Sequence, residues 1–193
     1  MRKVLLLFAV LFVISIPARA QSTYPSAEIF GGYSYFNQDL NIPRDRPGPF
    51  DIDERESLHG AGFSLAGNLS SSFGLVADFS YNKRTIDFPG GDIDISNFVF
   101  LFGPRFSARG SSVTGFGHVL VGGTRRKIEN FDSETGLTIG IGAGVDVNVS
   151  DGFAIRLGQI DYLPTRFNVG FGDHEWFNNF RFQIGVVFKA GNH

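Results

Sequence analysis

Few residues in this 193-residue chain have types and spacing that could carry chemistry. Gly140-Ile141-Gly142-Ala143-Gly144 has the glycine spacing of a phosphate-cradling loop. Such a loop must leave a strand and open a helix, whereas these glycines sit inside a period-two run. They read instead as a stripe that leaves room on one strand face. The four histidines, His59, His118, His174 and His193, show no metal-ligand spacing. Asp173-His174-Glu175 reads as a solvated loop, and His118 as a residue packing the wall of the fold. There is no Gly-x-Ser-x-Gly elbow. With no cysteine there is no thiolate site and no disulfide. The expectation is a chain without catalytic residues, metal or cofactor.

Six charged residues are more informative: Glu28, Asp78, Arg105, Asp146, Arg156 and Arg181. Each stands nearly alone in an otherwise uncharged stretch. A lone charge on a buried face is costly without a partner, but these three acids and three bases can compensate one another. They read as a structural polar core. The competing reading is an ion gate or proton path.

The elements that must hold these charges begin after residue 20. Met1-Arg2-Lys3 is a positive segment, Val4–Ile16 is apolar, and Pro17-Ala18-Arg19-Ala20 ends on a small-x-small pattern. That is a secretory signal peptide over 1–20, too short in its apolar part for a spanning helix of ~20 residues. Residues 21–193 then form one domain, with Gln21 as the first mature residue. Loss of Arg2, Lys3 and Arg19 takes the net charge from −2 to −5. Such a charge gives no basic footprint for nucleic acid.

The mature chain alternates apolar and small or polar residues again and again, which is the strand signature. Phe63 and Leu65 oppose Ser64 and Ala66; Leu75, Ala77 and Phe79 oppose Val76, Asp78 and Ser80. The same pattern fills Leu137–Val149 and Phe180–Phe188, and weaker runs lie near 26–38, 93–106, 113–123 and 153–162. With 58–69 and 73–82 these make eight strands. Tight Ser/Gly/Asp turns at Ser70–Ser72, Ser107–Ser112 and Ser150–Gly152 alternate with longer polar connections near 39–56, 83–92, 124–135 and 163–175. Loop 39–56, with Pro43, Pro47 and Pro49, is expected to be irregular.

Strict short–long alternation over an even strand number is the pattern of an up-and-down meander across an outer membrane. The expected fold is therefore all-β, an eight-stranded antiparallel up-and-down transmembrane β-barrel. A soluble barrel would need a dense polar exterior. Here the polar face is mostly Gly, Ser, Ala and Asn, suited to a tight lumen, and the opposite face is Leu, Val, Ile and Phe. Aromatics fall into two girdles. Tyr35, Tyr81, Tyr162 and Trp176 lie at the outer ends of strands, and Phe73, Phe106, Phe153 and Phe188 at the inner ends.

Strand direction also sets heights. Glu28, Arg105, Asp146 and Arg156 belong in the periplasmic third of the lumen, with Arg105 and Arg156 pairing Glu28 and Asp146. Asp78 and Arg181 belong nearer mid-barrel. Strict alternation from an inward Arg156 would turn Asp161 toward lipid. The expectation is either a bulge near Gly158-Gln159 that returns Asp161 to the lumen, or Asp161 at headgroup level.

Gly142-Ala143-Gly144-Val145-Asp146-Val147, Ala154-Ile155-Arg156-Leu157, Asp161-Tyr162, Leu101–Phe106 and the ending Asn178–Phe188 resemble OmpA/OmpX-type outer-membrane barrel domains. The resemblance covers essentially the whole mature chain through strand patterns. It implies an integral, non-enzymatic barrel in the bacterial outer membrane, expected to be a monomer. Envelope integrity and surface interaction through four extracellular loops are its implied roles. Implied partners are outer-membrane lipid and lipopolysaccharide, the outer-membrane insertion machinery and an extracellular ligand of the loops. A small channel or apolar-ligand conduit is the alternative function. The family's insertion signal usually ends on the aromatic; here Lys189–His193 follow Phe188. Some barrels of this size are lipid A-modifying enzymes with a His/Ser pair two apart, but Leu120 stands two after His118.

Overall fold

A computed structural model describes residues 24–39, 55–88, 91–128, 132–170 and 173–192. Residues 1–20, expected to be a signal peptide, and residues 40–54 of the expected connection 39–56 lie outside the described residues. Eight strands follow in order: β1 Pro25–Asp39, β2 Arg55–Asn68, β3 Phe73–Phe88, β4 Gly91–Arg109, β5 Val113–Ile128, β6 Glu134–Ser150, β7 Phe153–Gly170 and β8 Asp173–Asn192. Each pairs antiparallel with its sequence neighbour, and β1 pairs with β8 to close the barrel. This is the expected fold.

The three tight turns occupy one end. Ser70 illustrates how they close: its Oγ accepts the Phe73 N–H at 3.0 Å while the Leu69 N–H reaches the Phe73 carbonyl at 2.9 Å. The barrel is also sheared. A ladder from Ala27 passes through Gly67, Leu75 and Pro104, and the pairs Ile141–Tyr162 and Tyr162–Phe180 carry it on to Asn37, ten residues along β1 from Ala27. Closing eight tilted strands leaves an interior wide enough only for side chains.

Three of the long connections need correcting. Most of 83–92, 124–135 and 163–175 is strand: Thr85 pairs Asp94, Arg126 pairs Glu134, and Arg166 pairs Trp176. Asp173-His174-Glu175 opens β8 and is not loop. Beyond the lipid belt neither face needs to be apolar, so the hydrophobic alternation fades while the hydrogen-bonded ladder continues. For the same reason Tyr81 and Tyr162 do not mark strand ends; their strands run on to Phe88 and Gly170.

The outward face is the apolar one. Phe102, Val121, Ile141, Ile160 and Phe188 are each more than half exposed. Burying them in a bilayer, where every backbone group is already paired in a closed sheet, satisfies both demands of a lipid environment. The inner aromatics pair across strands, Phe73 with Phe106 at 5.3 Å between ring centroids and Phe153 with Phe188 at 5.4 Å. The upper ones, Tyr35, Tyr81, Tyr162 and Trp176, also face outward. Tyr162 packs on Phe180 at 5.3 Å and donates to Asn178 at 2.5 Å. Inside, the lumen carries more large apolar side chains than its Gly/Ser-rich sequence face suggests. Phe36, Leu58, Val99, Leu101, Leu120 and Leu163 form one buried cluster.

Candidate functional site

The lumen charges fall into two joined clusters. In the lower one, Arg105 Nη1 lies 2.9 Å from Glu28, and Arg156 holds Asp146 with two bonds, Nε at 2.8 Å and Nη2 at 3.1 Å. Two bonds in one plane fix both orientation and charge. Arg105 also approaches Asp146 at 3.7 Å. Both guanidiniums lie over the Phe116 ring, Arg105 at 4.3 Å and Arg156 at 4.4 Å from its centroid, and Arg156 also lies 4.3 Å from that of Phe30. Faces rich in π-electrons accept cations where water is excluded.

The upper cluster is centred on Asp161. β7 slips register between Arg156 and Gln159 against β8, and β6 slips between Val145 and Asp146. The extra residue at Leu157-Gly158 turns Asp161 inward, where it is fully buried. The bulge alternative therefore holds, and the headgroup alternative does not. Arg181 donates to Asp161 from Nη2 at 2.8 Å and from Nε at 2.9 Å, and lies 2.7 Å from Asp78. Gln159 joins the clusters, accepting from Arg156 at 2.7 Å and donating to Asp161 at 2.9 Å.

Three members were not legible as such. Arg109 lies 2.6 Å from Glu28; the turn was expected to begin at Ser107, three residues before Gly110, where it opens after β4 ends at Arg109, although Arg105, Ser107 and Arg109 share one alternating face. His118 does not pack the wall. It faces the lumen with Thr114, Phe116 and Leu120, and its Nε2 donates to Asp161 at 2.8 Å. Alternation along β5 was the available signal. Gln159 had none, because only the bulge puts it inside. The completed set is four carboxylates, Glu28, Asp78, Asp146 and Asp161, against four guanidiniums, Arg105, Arg109, Arg156 and Arg181. Chemically the arrangement can neutralise buried charge and fill the lumen. The glycine stripe does face inward, with Gly140 against Leu101 and Leu163, and Gly144 against Phe116.

Solved structures share this barrel. Ail, the attachment invasion locus protein of Yersinia pestis, solved with the heparin analogue sucrose octasulfate, matches with a TM-score of 0.58 at 15% identity, over 86% of this chain and 98% of that one. Neisserial surface protein A matches with a TM-score of 0.63 at 10% identity, over 88% and 99%. No curated protein matches the sequence. The outer membrane protein beta-barrel domain family matches residues 6–189, nearly the full length, and the chain belongs to that family of bacterial outer-membrane barrels.

Proposed function

We propose that the protein is a non-enzymatic barrel that supports envelope integrity and interacts with the cell's surroundings through its extracellular end, after export by a signal peptide cleaved before Gln21. One observation carries this reading: the lumen is crossed by a charge-balanced network and packed beside it with Phe36, Leu58, Leu101 and Leu163. A barrel filled in this way is a rigid plug, which disfavours the channel and conduit alternatives. The strands meanwhile run beyond the upper aromatics and carry polar hairpins outward, Thr85–Asp94 among them.

Planar-bilayer recording tests the reading. The purified barrel is expected to give no steady single-channel current; a reproducible conductance would favour the channel. Comparison of lipid A masses from cells with and without the protein should show no difference, and a modified species dependent on the protein would make it an enzyme.

A further inference from the structure

The carboxylates and guanidiniums of the lumen balance in total but not along its length. In the upper cluster Asp78 and Asp161 share one guanidinium, Arg181. In the lower cluster Glu28 and Asp146 face three, Arg105, Arg109 and Arg156. Lys189 adds a fourth cation there. It stands beside Glu28 in the β1–β8 ladder, on the inward face with Val187, and its Nζ reaches past β7 to Asn148 of β6 at 2.6 Å. Among the described residues the lower lumen therefore holds four cations against two carboxylates. Asp151, a further acid at this end, is exposed in the turn between β6 and β7.

The excess charge coincides with a donor that lacks an acceptor. Arg105 is buried, yet its Nε has no hydrogen-bond partner. Its Nη2 stops 3.7 Å from Asp146, beyond hydrogen-bond reach. Glu28 is already occupied, by Asn68 at 3.0 Å, Arg105 at 2.9 Å and Arg109 at 2.6 Å. Arg109 sits lower still, where its Nε donates to the Ser71 carbonyl of the first tight turn at 2.9 Å.

A buried donor without an acceptor is costly, and a guanidinium cannot shed its charge. A water molecule could accept the bond but would leave the excess charge in place. A small anion answers both. It can enter from the turn end, where Lys189 is half-buried and the Arg109 side chain is 11% exposed. The interior of eight strands has room for little beyond side chains, and Glu28 and Asp146 repel an ion of higher charge, so the occupant is compact and monovalent. We propose that Arg105, Arg109 and Lys189 bind one small monovalent anion of the halide class in the turn-end mouth of the lumen.

Chloride itself is the probe. The full mature barrel is refolded in a zwitterionic detergent, and sodium gluconate is replaced by sodium chloride at constant ionic strength. The chloride NMR line is expected to be broader than over empty micelles. The excess should saturate, and bromide should remove it where gluconate and phosphate do not. Lys189→Gln and Arg109→Gln should each weaken binding about tenfold, the loss expected for one hydrogen bond to a charged group, while Lys189→Arg keeps most of it. The urea midpoint of the parent should rise with chloride along the same curve, because a ligand of the folded state stabilises it by mass action; that of the double Gln variant should stay level. No excess linewidth, an excess that gluconate or phosphate removes as well as bromide does, or a double variant that binds like the parent would each overturn the proposal. Gel mobility with and without boiling checks that the variants fold. Should the double variant fail to, the Arg105 and Arg109 Nε–H resonances of the unaltered chain decide. They must shift along the chloride titration, and resonances that stay fixed refute the site.

Discussion

Gly142 of β6 and Asp161 of β7 stand opposite each other in the lumen, and the space where Gly142 lacks a side chain is filled by the Asp161 carboxylate. A Cβ built on Gly142 would lie 2.0 Å from Asp161 Oδ1 and 2.6 Å from His118 Nε2. The glycine is thus the room in which the His118–Asp161 hydrogen bond is made.

Gly142→Ala must therefore push apart a bond buried on all sides. Overpacking of this kind costs about 1–3 kcal/mol, read as a lower urea midpoint for the barrel in vesicles. Gly31 is the control, since a Cβ there meets nothing within 4 Å. Gly31→Ala should be neutral or stabilise by up to ~1 kcal/mol, because glycine loses more chain freedom on folding than alanine. Equal effects of the two substitutions would refute the packing role of Gly142.

The Asp146–Arg156 pair gives a second test. Asp146→Ala leaves Arg156 buried with only Gln159 as a hydrogen-bond acceptor, and Arg105 with Glu28 alone. Stranding a buried charge costs roughly 3–5 kcal/mol, whereas replacing both partners by apolar groups can be nearly neutral. Asp146→Leu combined with Arg156→Met is expected to recover most of the loss. An Asp146→Ala barrel with an unchanged urea midpoint would remove the structural role of the network. One that conducts ions without losing stability would instead favour a gate.

Acid should loosen the hairpin of β3 and β4. Hydrogen bonds from Lys83 and Thr85 hold Asp94 below the usual carboxylate range. Because the folded value is the lower one, the stabilisation is present above the ordinary carboxylate range and fades as pH falls through the lowered value. Amide exchange over residues 83–96 measures this. At neutral pH Asp94→Asn should protect the hairpin less than the parent does, and in acid the two should converge. A difference that persists in acid would contradict the assignment.

The eight strands and three tight turns were legible because lipid enforces one rule over the whole belt: Leu65, Phe79 and Val121 out, Ser64, Ser80 and Leu120 in. Above the belt that rule lapses, and Thr85–Asp94 or Arg166–Trp176 pair without any hydrophobic signal. The lumen was legible where one side chain could be placed by counting, as for Glu28, Arg105, Asp146 and Arg156. It was not legible where a neighbouring strand decides. His118 and Asp161 meet only because β5, β6 and β7 bring them to one level, with Gly142 between them. No local pattern in β5 contains that information.

The bulge itself supports the sharpest prediction. Arg156 and Gln159 both face the lumen although three positions separate them, so one of Leu157 and Gly158 is surplus to the alternation. Deleting Gly158 leaves Arg156 in, Leu157 out, and Gln159 and Asp161 in, as now. The deletion should fold, with the two charge clusters drawn slightly closer. Inserting one alanine after Gly158 has a different consequence. If the one-residue bulge is kept, Gln159 and Asp161 turn to lipid; if the bulge is lost, alternation keeps them in the lumen but slips β7 by two residues against β8. Either way Arg181 loses the acceptor it reaches at 2.8 and 2.9 Å, and His118 loses its bond at 2.8 Å. A lipid-facing charge deep in the belt costs up to a few kcal/mol, less for Asp than for Arg or Lys, and the stranded Arg181 adds roughly 3–5 kcal/mol. The insertion is expected to abolish the heat-modifiable band on gels while the deletion keeps it. If both variants fold equally well, the bulge does not set which side chains reach the lumen.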